Sequence, residues 1–254
     1  MATESRWIPL ESNPEVFNSW AKKAGLATSH AQFGDVYGLD EELLSMVPKP
    51  VKALILLFPD NPEAKAWKQE EDERIKKDGQ PKVDGTIFWI KQEISNACGT
   101  IALIHALANS DVTLAPDSPL QNFIIQCHDK SPEERAALLA STKLFSSIHA
   151  QSASTGQTAV PSDLNTNLHF TCFVAAPEAE FREIAKGGAS PKPDETQDNT
   201  GMRLIELDGR RPGPIDHGEC KDLLSDVANL VKSRYLNQTA SVYFSLMALA
   251  PPGN

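Results

Sequence analysis

The apolar positions of this chain recur at two spacings. Val16, Phe17 and Trp20 share one helical face after Asn13-Pro14-Glu15, which offers a cap, a first-turn proline and a first-turn acid; Gly25 is placed to close that helix. Apolar runs at 33–37 and 52–58 predict short strands, with a helical turn or two at 39–46 between them, ended by Pro48. Residues 62–78 are charge-dense and helical in pattern, and are expected to be solvated. The run 86–90 predicts another strand. From Cys98 onward, Ile101, Ile104, His105 and Ala108 recur at helical spacing, so a buried helix should begin near the cysteine. Ser131-Pro132-Glu133-Glu134 is a helix start serving 135–144.

Residues 146–167 change character. Ser, Thr, Gln, Ala and Asn dominate and only Asp163 is formally charged, which predicts a long mobile loop. Beyond it the pattern predicts a strand at 168–175, a short helix at 177–186 and disorder at 187–201. A strand at 202–207, a helix at 219–234 and a closing strand at 241–248 follow. Strands and helices mix without regular βαβ alternation and no repeat is visible, so one α+β domain over 1–254 is expected.

Composition narrows the function. The net charge of −10 argues against nucleic acid as a partner and for basic or neutral ones. The longest uninterrupted apolar run, 53–58, is far too short for a membrane span, and the N-terminus shows no signal-like stretch. Cys98, Cys127, Cys172 and Cys220 lie far apart with no C-x-x-C pair, so neither a disulfide scaffold nor a zinc site is expected. A cytoplasmic location, with nuclear access open, fits these features.

One constellation carries chemistry. A cysteine in the first turn of a buried helix meets unpaired N–H groups and the positive end of the helix dipole, which favour thiolate and stabilise an oxyanion. The plain alternative is that Cys98 is a small core residue. Gln92, six positions upstream, is placed to donate its amide to the same oxyanion. His169 lies 71 residues beyond Cys98 at the start of a predicted strand, and Asp208 follows the end of the next one. Adjacent strands would bring Asp208 against His169 and fix its tautomer. His217 is a rival base, but sits in a Gly/Pro-rich stretch with no strand to aim it. His105 reads as a core histidine. Cys127 and Cys172 read as packing residues; Cys220, near a helix start, has a surface position open to it.

Several segments together resemble the ubiquitin carboxyl-terminal hydrolases, cysteine peptidases of papain-like architecture. They are Arg6-Trp7-Ile8-Pro9-Leu10-Glu11-Ser12-Asn13-Pro14-Glu15, Asp35-Val36-Tyr37-Gly38-Leu39, Leu43-Leu44-Ser45-Met46-Val47-Pro48 and Gln92-Glu93-Ile94-Ser95-Asn96-Ala97-Cys98-Gly99-Thr100. Ser131-Pro132-Glu133-Glu134-Arg135, Gly156-Gln157-Thr158, Leu168-His169-Phe170 and Glu206-Leu207-Asp208-Gly209-Arg210 continue the set in order. The resemblance implies a central antiparallel sheet flanked by helices, a knotted backbone and a mobile loop over the active site, here 146–167. It implies Cys98 as nucleophile, His169 as general base, Asp208 as its orienter and Gln92 as oxyanion donor.

By the same resemblance Leu10, Glu11, Glu15, Asp35, Leu168 and Phe244 contact ubiquitin. By default the acids among them are solvated surface charges, and Leu168 and Phe244 core. The implied activity is hydrolysis of small adducts or short peptides from the ubiquitin C-terminus, by a monomer with no metal or organic cofactor. A ubiquitin-binding module with an idle triad, or a hydrolase acting on Nedd8, are the alternatives. Where relatives tend to have a tight hairpin between the His169 and Asp208 strands, this chain inserts about 176–200. The Asp208 assignment therefore depends on whether the base of that hairpin survives.

Overall fold

A computed structural model describes residues 6–158, 164–179, 201–237 and 243–253. Helix α1 (Pro14–Ala24) begins where the sequence places it: the Asn13 side chain accepts the Glu15 N–H, and Gly25 closes the helix at φ 118°. Only glycine serves there, because a Cβ at 25 would also lie 2.2 Å from Ser118 Cβ. Strand β1 (Gln32–Asp35), the short helix α2 (Glu41–Leu44), strand β2 (Ala53–Pro59) and helix α3 (Pro62–Asp78) follow. Helix α4 (Cys98–Ala108) is buried from Cys98 through Leu107 and forms the centre of the molecule.

Three further helices, α5 (Pro119–Gln126), α6 (Pro132–Ser141) and α7 (Lys143–Ala153), lead to β3 (Leu168–Pro177), β4 (Met202–Leu207) and β5 (Ile215–Glu219). Helix α8 (Leu223–Leu230) continues into a π-helical turn, Val231–Leu236, before β6 (Ser245–Ala250). The six strands form one antiparallel sheet in the order β1-β6-β2-β3-β4-β5, so the fold is α+β. Period-two alternation divides its side chains between two cores. Ile55, Cys172, Val174, Ile205, Leu207, Met247 and Leu249 face the core containing α1 and α4. Leu54, Leu56, Phe58, Phe173, Leu204 and Leu246 face the core formed with α8 and Tyr235.

Five expectations change. Residues 86–90 form no strand: Asn109 Oδ1 accepts the Phe88 N–H at 2.7 Å, Asn109 Nδ2 donates to Phe88 O at 2.8 Å, and His105 Nε2 accepts the Ile90 N–H at 2.9 Å. Side chains of α4 and its end take the place of a partner strand. Residues 146–153 belong to α7 and are not a loop; Phe145, Ile148, His149 and Ser152 give it a buried stripe at helical spacing. Helix α3 has the predicted bounds but is not wholly solvated, since Lys68 and Glu71 are buried. Residues 215–219 form β5, which delays α8 until Asp222 caps it. Helix α5, begun by Pro119, lies in a stretch for which no element was predicted.

The base of the β3–β4 hairpin is intact, with Pro177 opposite Met202 and the Glu178 N–H bonded to Gly201 O. The predicted helix beyond residue 179 and the predicted disorder at 187–200 fall outside the described residues. Among the described residues, no helix is long and apolar enough to cross a membrane. The Asn109→Ala variant should lose both bonds to Phe88 and destabilise the fold by about 2 kcal/mol or more, read as a lower urea midpoint. An unchanged midpoint would show that water replaces the amide without cost.

Candidate active site

The turn leading into α4 is tightly specified. Gln92 donates its backbone N–H to Gly209 O at 2.7 Å, and Asn96 adopts φ 63°, a left-handed conformation that asparagine tolerates better than most residues. Asn96 Nδ2 donates to Trp7 O at 2.9 Å and to Leu164 O at 3.0 Å. The helix then begins at Cys98, whose thiol is buried at the end of a cleft of about 390 Å³.

His169 enters from the first turn of β3 and Asp208 directly follows β4. The β3–β4 register pairs Cys172 with Leu207, so alternation puts His169, Glu206 and Asp208 on the same face of the sheet. His169 Nε2 and Asp208 Oδ1 are 2.7 Å apart and both side chains are buried. The opposite ring nitrogen, Nδ1, is buried without an aligned hydrogen-bond partner among the described residues. The imidazole nonetheless lies close enough to Cys98 to act on its ionisation.

Burial pushes the Cys98 thiol up, but hydrogen bonding and charge from His169, the Phe170 backbone and the Arg210 charge outweigh it and hold the thiol below its ordinary value. Burial works against protonated His169 too; the Asp208 carboxylate and Cys98 overcome this and raise it. Burial alone would protonate Asp208, yet His169 and Lys68 hold its carboxyl well below the usual range. The trio thus favours a thiolate–imidazolium pair.

The Asp208 loop is fixed on several sides. Lys68 Nζ donates to Oδ2 at 2.7 Å, the Arg210 N–H donates to Oδ1 at 2.9 Å, and Trp89 Nε1 donates to Asp208 O at 3.2 Å. Gly209 packs on the 90–92 segment: a Cβ there would lie 3.1 Å from both Gln92 Cβ and Ile90 O, closer than nine in ten real contacts. Gln92 Nε2 donates to Ile94 O at 3.2 Å, and its Oε1 is buried without a hydrogen-bond partner among the described residues.

A family model described as ubiquitin carboxyl-terminal hydrolase, family 1, matches residues 7–236. The chain belongs to this family. It is therefore a thiol-dependent cysteine peptidase. The chain is 36% identical to ubiquitin carboxyl-terminal hydrolase 3 of Arabidopsis thaliana, covering 98% of this chain and 96% of that one. It is 34% identical to ubiquitin carboxyl-terminal hydrolase isozyme L1 of Sus scrofa, covering 95% and 96%. Among solved structures, Trichinella spiralis UCH37 bound to ubiquitin vinyl methyl ester superposes with a TM-score of 0.64 at 22% identity, over 96% of this chain and 81% of that one. At that identity the likeness shows the fold.

The structure brings Cys98, His169 and Asp208 together, and Gln92 is tied to the Asp208 loop through its backbone N–H on Gly209 O. Leu10, Glu11, Leu168 and Phe244 line the Cys98 cleft; Asp35 lines a neighbouring cleft that Phe244 shares, and Glu15 lies in the first turn of α1, outside both. Leu10 is buried against Gly99, and the Glu11 carboxylate accepts the Thr158 N–H at 2.9 Å, docking that segment beside the cleft.

His217 is not in a loop: it sits on β5 with Nε2 2.8 Å from Glu206 Oε2, committed to a buried network with Tyr235 and Thr171. His105 is the core histidine expected, held neutral with its pKa pushed down to about 4 by burial. Cys220 is buried, not exposed. Lys68 and Arg210 escaped the sequence reading; Lys68 was hidden in a stretch whose charge density suggested solvent. No group of three or more His, Cys, Asp or Glu side chains among the described residues is placed to hold a metal ion.

Burial raises the Cys127 thiol to about 11, that of Cys220 to about 12 and that of Cys172 higher still. Iodoacetamide at neutral pH should therefore label Cys98 ahead of the other three, as read by peptide mass spectrometry. Its labelling rate should fall as pH drops through the depressed thiol pKa and protonates the thiolate. Equal labelling of all four cysteines would contradict an activated Cys98.

Proposed function

We propose that this chain is a deubiquitinating thiol hydrolase that releases small adducts or short peptides from the C-terminal glycine of ubiquitin. The observation that carries this reading is His169 bonded through Nε2 to Asp208, with Nδ1 unpartnered among the described residues and the imidazole lowering the Cys98 thiol pKa. The relatives' names, which refer to ubiquitin, support the substrate class. The cleft running to Cys98 between Leu10, Glu11, Leu168 and Phe244 supports entry of an extended tail.

In this mechanism the Cys98 thiolate attacks the glycine carbonyl. The oxyanion that forms accepts from the Cys98 N–H at the start of α4 and from the side-chain amide of Gln92. His169 gives its Nδ1 proton to the departing amine, leaving a thioester on Cys98. Water then attacks with His169 as base, and free ubiquitin leaves as Cys98 is restored. Asp208 keeps Nε2 protonated and oriented throughout. The Gly156–Thr158 segment is docked on Glu11, which lines the cleft, and a segment so close to the entrance supports the limit to small leaving groups.

Release of a fluorogenic group from the ubiquitin C-terminus should proceed with wild type and vanish in Cys98→Ala. Gln92→Ala should retain ubiquitin binding and lower kcat by about a hundredfold or more. Ubiquitin binding without turnover by wild type would instead make this a binding module. Faster release from Nedd8 than from ubiquitin would correct the substrate.

A further inference from the structure

We infer that Lys68 is a positioning residue for the hydrolysis: its buried ammonium fixes the plane of the Asp208 carboxylate for His169 and cancels part of that carboxylate's charge. The inference rests on the triad reading above and deepens it. Lys68 is 7% exposed on a helix whose other lysines are solvated. Its Nζ lies 2.7 Å from Asp208 Oδ2 and 4.1 Å from the centroid of the Phe58 ring. Phe58 stands opposite His169 in the β2–β3 register, and the two rings meet edge to face at 5.6 Å. Lys68 and His169 therefore share one aromatic platform and one carboxylate.

The two Asp208 oxygens have separate partners. Oδ1 receives His169 Nε2 and the Arg210 N–H, while Oδ2 receives Lys68. With Oδ2 released, the carboxylate is held through Oδ1 alone, its plane is less fixed, and His169 loses part of its orientation. The second effect is electrostatic. A lone Asp208 charge would hold the imidazolium more strongly, and the Lys68 charge beside it moderates that pull.

Other charged groups around the pair are already engaged. Glu206 on β4 binds His217 and Tyr235; on α3, Glu71 binds Arg211 and Arg234 and Asp72 binds Arg211. Arg210 reaches Asp60, and His105 on α4 bonds the Ile90 N–H and Leu207 O. Lys68 does not line the Cys98 cleft, so its loss should leave substrate binding alone.

The test measures kcat, KM and the pH profile of kcat/KM on the ubiquitin fluorogenic substrate for wild type, Lys68→Met, Lys68→Arg, Asp208→Asn and the Lys68→Met/Asp208→Asn double variant. The expected result is a kcat about ten- to a hundredfold lower in Lys68→Met, with KM unchanged and the alkaline limb moved to higher pH. Lys68→Arg should restore most of kcat, and Lys68→Met should cost nothing further in the Asp208→Asn background. A folded Lys68→Met variant with wild-type kcat and pH profile would overturn the inference. So would a double variant slower than Asp208→Asn by the factor separating Lys68→Met from wild type. If Lys68→Met leaves a lone buried carboxylate and does not fold, Asp208→Asn and the double variant decide: equal kcat supports the inference, and a double variant about tenfold or more slower overturns it. Full activity in Asp208→Asn and in Cys98→Ala would fault the triad reading itself, a separate outcome.

Discussion

The buried carboxylate of Asp208 is the constraint around which the site is organised. Taking a carboxylate out of water costs several kcal/mol unless partners replace the lost hydration. Here β3 supplies His169, α3 supplies Lys68, and the loop supplies its own Arg210 N–H. A charge-assisted hydrogen bond contributes about 1.5–3 kcal/mol, so three together are of the size needed to offset the burial. The loop's backbone extends the same node: Trp89 and His105 hold the carbonyls of Asp208 and Leu207, and Gly209 O takes the Gln92 N–H. Asp208 and Gln92 are thus joined by one short backbone link, while α4 brings Cys98.

The four cysteines form an internal comparison of what activates a thiol. All are buried, and burial raises every one of them. Cys220 also lies just ahead of a helix, close to the positive end of α8, yet burial, with Asp226 and Asp222 beside it, raises it to about 12. Position at a helix start is therefore insufficient in this protein. Cys98 is lowered because His169 lies beside it, and His169 is raised because Asp208 outweighs its desolvation. The causal order runs from the carboxylate to the imidazole to the thiol.

What was legible in the sequence was local. Asn13-Pro14 with Gly25, the Ser131/Glu134 capping box and the apolar spacing after Cys98 each encode an element in a few residues, and the structure follows them closely. What was hidden depends on partners distant in sequence. The 86–90 run resembles a strand, but its backbone bonds go to Asn109 and His105. Asp216-His217-Gly218 looks like a loop because its pairing residues, Arg203 and Glu206, lie on another strand. In α7 a polar composition masked a stripe of four buried positions. Lys68 was hidden by its own helix, where every neighbouring charge argued for solvent.

The insert expected at 176–200 cannot begin at 176, because Ala176 and Pro177 are still paired in β3, and register shows why extra length beyond them leaves the site intact. The β3–β4 ladder ends at the Pro177–Met202 pair, six residues from Asp208. At about 3.3 Å per residue this is roughly 20 Å along β4. Between them Arg203, Leu204, Ile205, Glu206 and Leu207 each pair with a β3 residue, and Leu204, Ile205 and Leu207 are buried in the two cores. A one-residue slip would carry all of these side chains to the wrong face, so the register is locked whatever length is inserted beyond it. Asp208 is aimed by the strand that precedes it, and chain added at the far end of the hairpin has no lever with which to move it.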